Sequence, residues 1–209
     1  MNLNNQLYKI DKLNCEVFYY QQFLTEEESH KIFNFLNENF HFNRQRVSID
    51  DQHSYKLNRS TLIFTDKETI EQNIIPKTWG KETPIIQWPD LIFQIKEKIE
   101  KLTDKKYNIC LCNYYLNGKR NIGWHSDKEE YGSISSIASI SLGASRNFLF
   151  RKIENNNDIH NLILCNGSLL IMGQGCQENY QHCLPLDKTI NQPRINLTFR
   201  LFDKNRYNL

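Results

Sequence analysis

The sequence Gly123-Trp124-His125-Ser126-Asp127 sets an imidazole and a carboxylate two residues apart. Side chains at i and i+2 of an extended segment leave the same face, so His125 and Asp127 can converge on one point. A second imidazole from a distant strand, His182, would complete a face of two histidines and one carboxylate. That ligand set leaves coordination positions open and suits non-haem Fe(II), which must also bind a co-substrate and O2. An H-x-D pair with a remote histidine is a weak signal alone, because a zinc hydrolase uses the same ligand types with a bound water.

The C-terminal segment RINLTFR, residues 194–200, strengthens the iron interpretation. Read as a strand, it has a polar face and an apolar face. The polar face carries Arg194, Asn196, Thr198 and Arg200, and the apolar face carries Ile195, Leu197 and Phe199. Two guanidinium groups facing a barrel interior would be costly without an anion. A dicarboxylate co-substrate would supply one, because arginine binds carboxylates in bidentate fashion.

Composition bounds the class of protein. The chain has 209 residues, enough for one domain with a full core, and a formal net charge of +2 from 26 basic and 24 acidic residues. Any basic footprint for nucleic acid must therefore be local. The six cysteines include no CxxC pair, and most lie in or beside apolar runs, which is typical of small buried residues. With no signal peptide and no apolar run near 18 residues, we expect a soluble intracellular monomer, nuclear or cytoplasmic.

Two helices and a series of strands are predicted. Thr25 and Glu28 form a capping box before a helix with Ile32, Phe33, Leu36 and Phe40 on one side. A second helix spans residues 89–103, with a buried stripe of Leu91, Ile92, Ile95, Ile99 and Leu102 and a solvated lysine and glutamate face. Short strands follow at residues 109–115, 134–142, 147–151, 161–164, 168–172 and 194–202. This order indicates a mainly β protein, a sandwich or jelly roll with helical buttresses.

Six segments resemble those of AlkB-type Fe(II)/2-oxoglutarate dioxygenases, close to the branch of the animal DNA-repair homologues. They are NYYLNG (113–118), IGWHSDKEE (122–130), IASISLGASRNFLFR (137–151), NGSLLIM (166–172), HCLP (182–185) and PRINLTFR (193–200). The resemblance implies a double-stranded β-helix (jelly roll) of the Fe(II)/2-oxoglutarate dioxygenase type. Within one compact domain, residues 1–106 would form an N-terminal helical and nucleotide-recognition lid region, and residues 107–209 the catalytic core.

The resemblance also implies the ligands of the metal and of the co-substrate. The metal ligands would be His125, Asp127 and His182, which are also the catalytic residues. The 2-oxoglutarate contacts would be Asn113, Tyr115, Arg194, Asn196 and Arg200, with Arg194 on the distal carboxylate. Pairing Arg200 with the second oxygen of Asp127 would satisfy both charges and orient the ligand. Tyr115 and Asn196 could equally be polar core residues that satisfy each other.

The resemblance also implies residues that contact the substrate. Residues 59–66, which include Arg59 and Phe64, are similar to the family segment that begins a substrate lid. Trp79 lies near the family's aromatic that stacks on a flipped-out base, although it could equally be a core residue. Glu129 matches an acidic position near the exocyclic amine of the base, whereas Lys128 departs from the Asp of the animal repair enzymes. The candidate phosphate contacts are Arg59, Lys119, Arg120, Arg146 and Arg151.

The implied activity is oxidative demethylation of N-alkylated nucleobases, of the 1-methyladenine and 3-methylcytosine type, in DNA or RNA. It would use Fe(II), 2-oxoglutarate and O2, and would be a direct reversal of damage. Three alternatives remain open at this point: the same chemistry on RNA modification or on a protein substrate, a zinc hydrolase, and a binding module that keeps the pocket without catalysis. The hydrolase leaves Arg194, Asn113 and Tyr115 without a task, and the intact ligand triad argues against the binding module.

Overall fold

The structure is a computed structural model that describes residues 6–48, 54–71, 83–129 and 132–202. The strands are β1 (Tyr8–Lys9), β2 (Val17–Tyr20), β3 (Arg46–Ser48), β4 (Ser54–Lys56), β5 (Ser60–Thr65), β6 (Ile85–Gln87), β7 (Ile109–Tyr115), β8 (Ile122–His125), β9 (Ile137–Gly143), β10 (Arg146–Lys152), β11 (Ile159–Leu164), β12 (Leu169–Met172), β13 (Tyr180–Leu184) and β14 (Arg194–Arg200). The helices are α1 (Glu26–Asn39), α2 (Lys67–Glu71), α3 (Asp90–Thr103) and α4 (Cys176–Asn179). None of the helices in these ranges is long and apolar enough to span a membrane.

Helix α1 begins where its capping box predicts. The Glu28 backbone N–H donates to Thr25 Oγ1 at 3.1 Å, and the Thr25 N–H donates to Glu28 Oε2 at 2.7 Å, so two otherwise unpaired donors are satisfied. Ile32 and Leu36 are buried on the inner side of the helix. Helix α3 buries Ile92, Ile95 and Ile99 in the same core cluster. The prediction that Leu102 belongs to the buried side of α3 is wrong, however, because this residue lies in the last turn and is 39% exposed.

Two antiparallel layers form the body of the protein. The larger sheet has the order β1-β2-β12-β9-β14-β7-β5-β6, and the smaller has the order β11-β10-β13-β8. Within the larger sheet only the β5–β6 pair is parallel. Buried residues of both sheets, among them Val17, Leu170, Phe150 and Tyr180, make one cluster between the layers. This sandwich confirms the predicted mainly β fold with helical buttresses, since α1 and α3 cover the outer face of the larger sheet.

Strand β14 is central to the larger sheet because it pairs with β9 on one side and β7 on the other. Its apolar side chains Ile195, Leu197 and Phe199 join the core cluster under the helices. Its polar side chains therefore face the space between the two sheets, since alternate residues of a strand point to opposite faces. This alternation is what carries two arginines into the interior.

Residues 60–65 differ from the sequence prediction. They form β5 inside the larger sheet, between β7 and β6, with every residue buried. Phe64 is fully buried and packs edge-to-face on Phe40 at a ring distance of 5.4 Å. The prediction that Phe64 contacts substrate is therefore wrong for this structure: its face of β5 belongs to the core beneath the helices. The larger sheet also joins strands from both sides of residue 106, and the division there stays a prediction of the sequence.

Candidate active site

The two histidines of the predicted triad meet across neighbouring strands. His125 ends β8, and His182 lies in β13 as its direct pairing partner. Their rings are 4.4 Å apart. Asp127 lies two residues beyond β8, with Oδ1 3.8 Å from His125 Nε2 and Oδ2 3.9 Å from His182 Nε2. Donor atoms from all three residues lie within 4.8 Å of one another, so one metal ion could reach them all.

The surrounding residues hold this triad in orientation. His125 Nδ1 lies 2.8 Å from the Gly123 carbonyl, which favours a proton on Nδ1 and leaves Nε2 free to coordinate. The backbone N–H of Asp127 donates to Gln177 Oε1 at 2.9 Å. Arg200 Nη2 donates to Asp127 Oδ2 at 2.6 Å, which confirms the predicted ion pair. Hydrogen bonds thus orient His125 and Asp127. The Nδ1 atom of His182 has no hydrogen-bond partner among the described residues, and its ring stacks on Phe148 at a ring distance of 5.2 Å.

The charges of the triad suit metal binding. Burial alone would raise the pKa of Asp127, but Arg200, His182 and His125 together outweigh burial and hold this pKa well below its usual range. Burial lowers the pKa of His182 to about 3, against an opposing effect of Asp127. At neutral pH the site therefore presents an ionised carboxylate and a neutral imidazole, the forms that coordinate a cation.

A buried cation lies deeper between the sheets. Arg194 is 3% exposed, and its Nη2 donates to Ser141 Oγ at 2.9 Å. Its Nε has no hydrogen-bond partner among the described residues, nor do Nε and Nη1 of Arg200. Burial lowers the pKa of Arg194 to about 10, and the nearby charge of Arg146 acts in the same direction. Buried guanidinium donors without partners fit an anionic ligand, because such groups are otherwise costly.

Polar residues of β7 and β14 line the same interior. Tyr115 is 4% exposed, and the guanidinium of Arg194 lies 5.5 Å from its ring centre. Asn113 accepts a hydrogen bond from Arg59 Nε at 2.7 Å and contacts Asn196 at 3.4 Å. Asn196 also donates to Ser139 Oγ at 2.6 Å. The structure thus brings all five residues predicted for the co-substrate to one interior face, and their contacts with 2-oxoglutarate stay predictions.

The metal ligands His125 and Asp127 open into a cavity of about 490 Å3, within the range of small-ligand sites. Arg59 lines this cavity, as do Tyr55 and Trp124, which sequence reasoning did not select. Tyr55 comes from the β3–β4 hairpin and is 51% exposed. Its signal in the sequence is weak, since a tyrosine among polar residues says nothing about which site it faces. Trp124 was visible only as the neighbour of a metal ligand.

The remaining predicted substrate residues lie elsewhere. Arg146 is 2% exposed, and its Nη2 donates to the carbonyls of Pro185 at 2.7 Å and Arg120 at 3.1 Å. A role for Arg146 in phosphate contact is therefore wrong for this structure, because its side chain is turned inward onto backbone oxygens. Glu129 is half-buried, accepts from the Ile134 N–H at 3.1 Å and is not part of the cavity lining. Trp79 lies outside the described residues.

Arg151, another candidate for phosphate contact, binds side chains of the neighbouring strands of the smaller sheet. Its Nε and Nη2 donate to Gln181 Oε1 at 2.9 and 2.6 Å. Its guanidinium also lies 4.4 Å from the centre of the Trp124 ring. This contact fixes the tryptophan beside His125, so Arg151 supports the cavity wall.

Comparison with known proteins agrees with this site. The sequence profile of the 2OG-Fe(II) oxygenase superfamily matches residues 16–200. The chain is 35% identical over 168 residues to alpha-ketoglutarate-dependent dioxygenase alkB homolog 3 of Mus musculus, covering 75% of this chain and 56% of the relative. It is 36% identical over 121 residues to DNA oxidative demethylase ALKBH2 of Homo sapiens, covering 54% and 46%. The chain thus spans about half the length of these curated relatives.

A solved structure supports the fold independently. OsALKBH1 aligns with 94% of this chain and all of its own, at a TM-score of 0.67 and 17% identity. The resemblance to AlkB-type proteins is therefore confirmed in sequence and in fold. The two histidines and one carboxylate of the triad are a ligand set that suits Fe(II). The buried guanidinium donors without partners, on Arg194 and Arg200, suit a dicarboxylate. With the superfamily profile covering nearly its whole described length, this chain belongs to the 2OG-Fe(II) oxygenase superfamily.

Proposed function

We propose that this protein is an Fe(II)- and 2-oxoglutarate-dependent dioxygenase that removes N-linked alkyl groups from nucleobases in DNA or RNA. The observation that carries the proposal is the joint presence, on one interior face, of the His125, Asp127 and His182 triad and the buried Arg194. A zinc hydrolase would leave Arg194 without a function. The demethylase named among the relatives supports nucleic acid as substrate.

Separate groups of residues would bind the metal and the co-substrate. His125, Asp127 and His182 would hold Fe(II), and Arg200 would keep the carboxylate ionised and fixed. Arg194 would bind the distal carboxylate of 2-oxoglutarate, with Asn113, Tyr115, Asn196 and Arg200 as the other contacts predicted for it. Their burial excludes water, so charge-assisted hydrogen bonds there are stronger than in solvent. When bound, Fe(II) and 2-oxoglutarate supply an O2-dependent oxidation that hydroxylates an N-alkyl carbon, after which the alkyl group leaves as an aldehyde.

The cavity next to the triad supports a flat substrate. At about 490 Å3 it offers the phenol ring of Tyr55 and the indole of Trp124 in its walls. Aromatic faces suit nucleobases because every base has a π-face. Arg59 lines the cavity and would fix the nucleotide while its Nε donates to Asn113. Trp79 as the base-stacking ring and Glu129 as the contact to an exocyclic amine remain predictions.

The test is demethylation of defined oligonucleotides. The protein with Fe(II), 2-oxoglutarate and O2 is incubated with 1-methyladenine or 3-methylcytosine in single-stranded DNA, double-stranded DNA and RNA, and mass spectrometry counts the methyl groups lost. We expect loss of methyl groups coupled to succinate. Asp127→Ala should abolish both, because removing the carboxylate removes a metal ligand. Consumption of 2-oxoglutarate without demethylation of any oligonucleotide would instead indicate a protein or small-molecule substrate, and a fully active Asp127→Ala protein would refute the metal site.

A further inference from the structure

A second cavity lies beside the metal cavity and is lined by cations. It has a volume of about 330 Å3, and among its walls are Arg44, Arg59, Arg120, His41, Phe42 and Tyr114. We call this the arginine pocket. None of the described residues that line it is acidic. Arg59 lines both cavities, so the arginine pocket continues directly from the mouth of the candidate active site.

The three guanidinium groups keep most of their donors available. Arg44 Nε donates to the Leu57 carbonyl at 2.6 Å, and its Nη2 has a weak contact of 3.5 Å. Arg59 uses Nε on Asn113, and Arg120 uses Nη1 on Asn58 Oδ1 at 3.3 Å. A guanidinium has five N–H groups, and within the described parts of the chain no carboxylate pairs with any of these three. Like charges gathered without a counter-charge fit an anionic ligand.

The pocket is also held in shape. Phe42 and Tyr114 stack at a ring distance of 4.5 Å and an interplanar angle of 12°, which makes one wall a flat aromatic surface. The loop that carries Arg120 is fixed from beneath, because the buried Arg146 donates to the Arg120 carbonyl at 3.1 Å and to Pro185 at 2.7 Å. The arginine that the sequence suggested for phosphate contact thus supports the loop that presents another.

We infer that the arginine pocket binds the phosphodiester of the nucleotide next to the one that enters the metal cavity. This inference rests on the proposed function. Guanidinium groups beside an aromatic wall are the combination by which proteins follow a single strand, with charges on the backbone and rings on bases. Arg59, shared by both cavities, would contact the phosphate between the two nucleotides. Arg44 and Arg120 would then contact the flanking phosphate.

The experiment measures oligonucleotide binding, which does not depend on turnover. Fluorescence anisotropy of a labelled, unmodified single-stranded DNA is recorded over a series of salt concentrations with the wild type, Arg120→Gln and Arg44→Gln/Arg120→Gln. Each neutralised phosphate contributes about 0.7 to the slope of log K against log salt for a single strand. Because Arg44 and Arg120 share one phosphate, we expect the slope to fall in magnitude by about 0.7 in the double variant and by part of that amount in the single variant. Affinity should fall about tenfold or more in the double variant.

Lys101→Gln is the matched control. It removes one positive charge from the exposed face of α3, away from the pocket, and should leave the slope unchanged. Arg120→Lys keeps the charge and should keep most of the slope. Arg44 also binds the backbone of the β3–β4 hairpin, so the single Arg120 variant is decisive if the double variant folds poorly.

The possible outcomes separate this inference from the proposed function. If the salt slope of the Arg120→Gln protein equals that of the wild type, the assignment of the arginine pocket to phosphate is wrong. The same holds if Lys101→Gln reduces the salt slope as much as Arg120→Gln does. If the wild type demethylates methylated oligonucleotides while Arg120→Gln binds them as well as the wild type, only the pocket fails. A wild type that binds no oligonucleotide overturns the pocket, and the demethylation assay then decides the proposed function separately.

Discussion

Replacing Arg194 with methionine should weaken the binding of 2-oxoglutarate and leave the fold intact. Methionine keeps much of the volume of the side chain but removes its charge and all of its donors. Arg194 is 3% exposed, and its side chain makes one hydrogen bond to the described residues, from Nη2 to Ser141 Oγ at 2.9 Å. The buried cation has no counter-ion among the described residues, so its replacement by an apolar group should leave the stability of the free protein unchanged or higher.

The size of the effect follows from the bonds that would be lost. A hydrogen bond to a charged partner contributes about 1.5–3 kcal/mol, so the Kd for 2-oxoglutarate should rise about 10- to 100-fold. Ligand at 100 times the wild-type Kd stabilises the folded state by about 2.7 kcal/mol, but by only about 1.4 to 0.4 kcal/mol after such a rise. At about 2–4 °C per kcal/mol for a chain of this length, the ligand-induced rise in Tm should fall from about 5–11 °C to about 1–6 °C.

Thermal unfolding with Mn(II) in place of Fe(II) measures this without turnover. Ser141→Ala is the matched control, because it removes the hydroxyl that accepts from Arg194 and keeps the guanidinium. Its 2-oxoglutarate-dependent rise in Tm should remain close to that of the wild type. A wild-type rise in the Arg194→Met protein would refute the assignment of this cation to the co-substrate. A loss of response to Mn(II) itself would show that the substitution had disturbed the metal ligands as well.

Two further predictions concern the substrate and the scaffold. Tyr55→Ala should weaken oligonucleotide binding by about 1–3 kcal/mol with little change in salt slope, whereas Tyr55→Phe should bind as the wild type does; equal binding by all three proteins would exclude stacking on this ring. Glu100 accepts from the Tyr107 N–H at 2.9 Å and pairs with Lys96 at 3.1 Å; burial raises its pKa, but these partners outweigh burial and lower it. The ionised Glu100 therefore stabilises the folded protein above the ordinary pKa of 4.5, and this stabilisation is lost as the pH falls below that value. Glu100→Gln should lower the free energy of unfolding by about 1–2 kcal/mol at pH 7. The same substitution should make the free energy of unfolding depend less on pH between about pH 5 and 3. A variant whose denaturant midpoint keeps the full wild-type pH dependence would contradict this.

The metal triad and the inner face of β14 could be predicted from the sequence because both depend on a period of two. His125 and Asp127 share a face, and Arg194 and Arg200 lie on the polar side of an alternating strand. Once the strand is recognised, this pattern determines to which face of the sheet each side chain points. The third ligand could also be named, because His182 lies in a family segment of its own. Its pairing with His125 across β13 and β8 was not predicted.

The substrate side could not be predicted in the same way. Strand β5 is buried on both faces, so it has no alternation to show that Phe64 packs beneath the helices. Arg146 shares one face of β10 with Phe148 and Phe150, so the period of two points it inward, but the pattern cannot say that backbone carbonyls accept from its guanidinium there. The β3–β4 hairpin is short and polar, and its Tyr55 reaches the cavity only through tertiary packing. The contacts of these residues are set by the parts of the chain that pack against them, and a single sequence does not show which parts those are.

The position of β14 has a consequence for how the protein is made. The strands β1, β2, β12 and β9 connect to β7, β5 and β6 only through it. During synthesis the two halves of the larger sheet therefore wait, each with an open edge, until residues 194–200 have left the ribosome. Open edges are templates for unwanted pairing with other chains. The same strand carries both interior arginines, so the nascent protein cannot acquire its binding chemistry before these two open edges are covered.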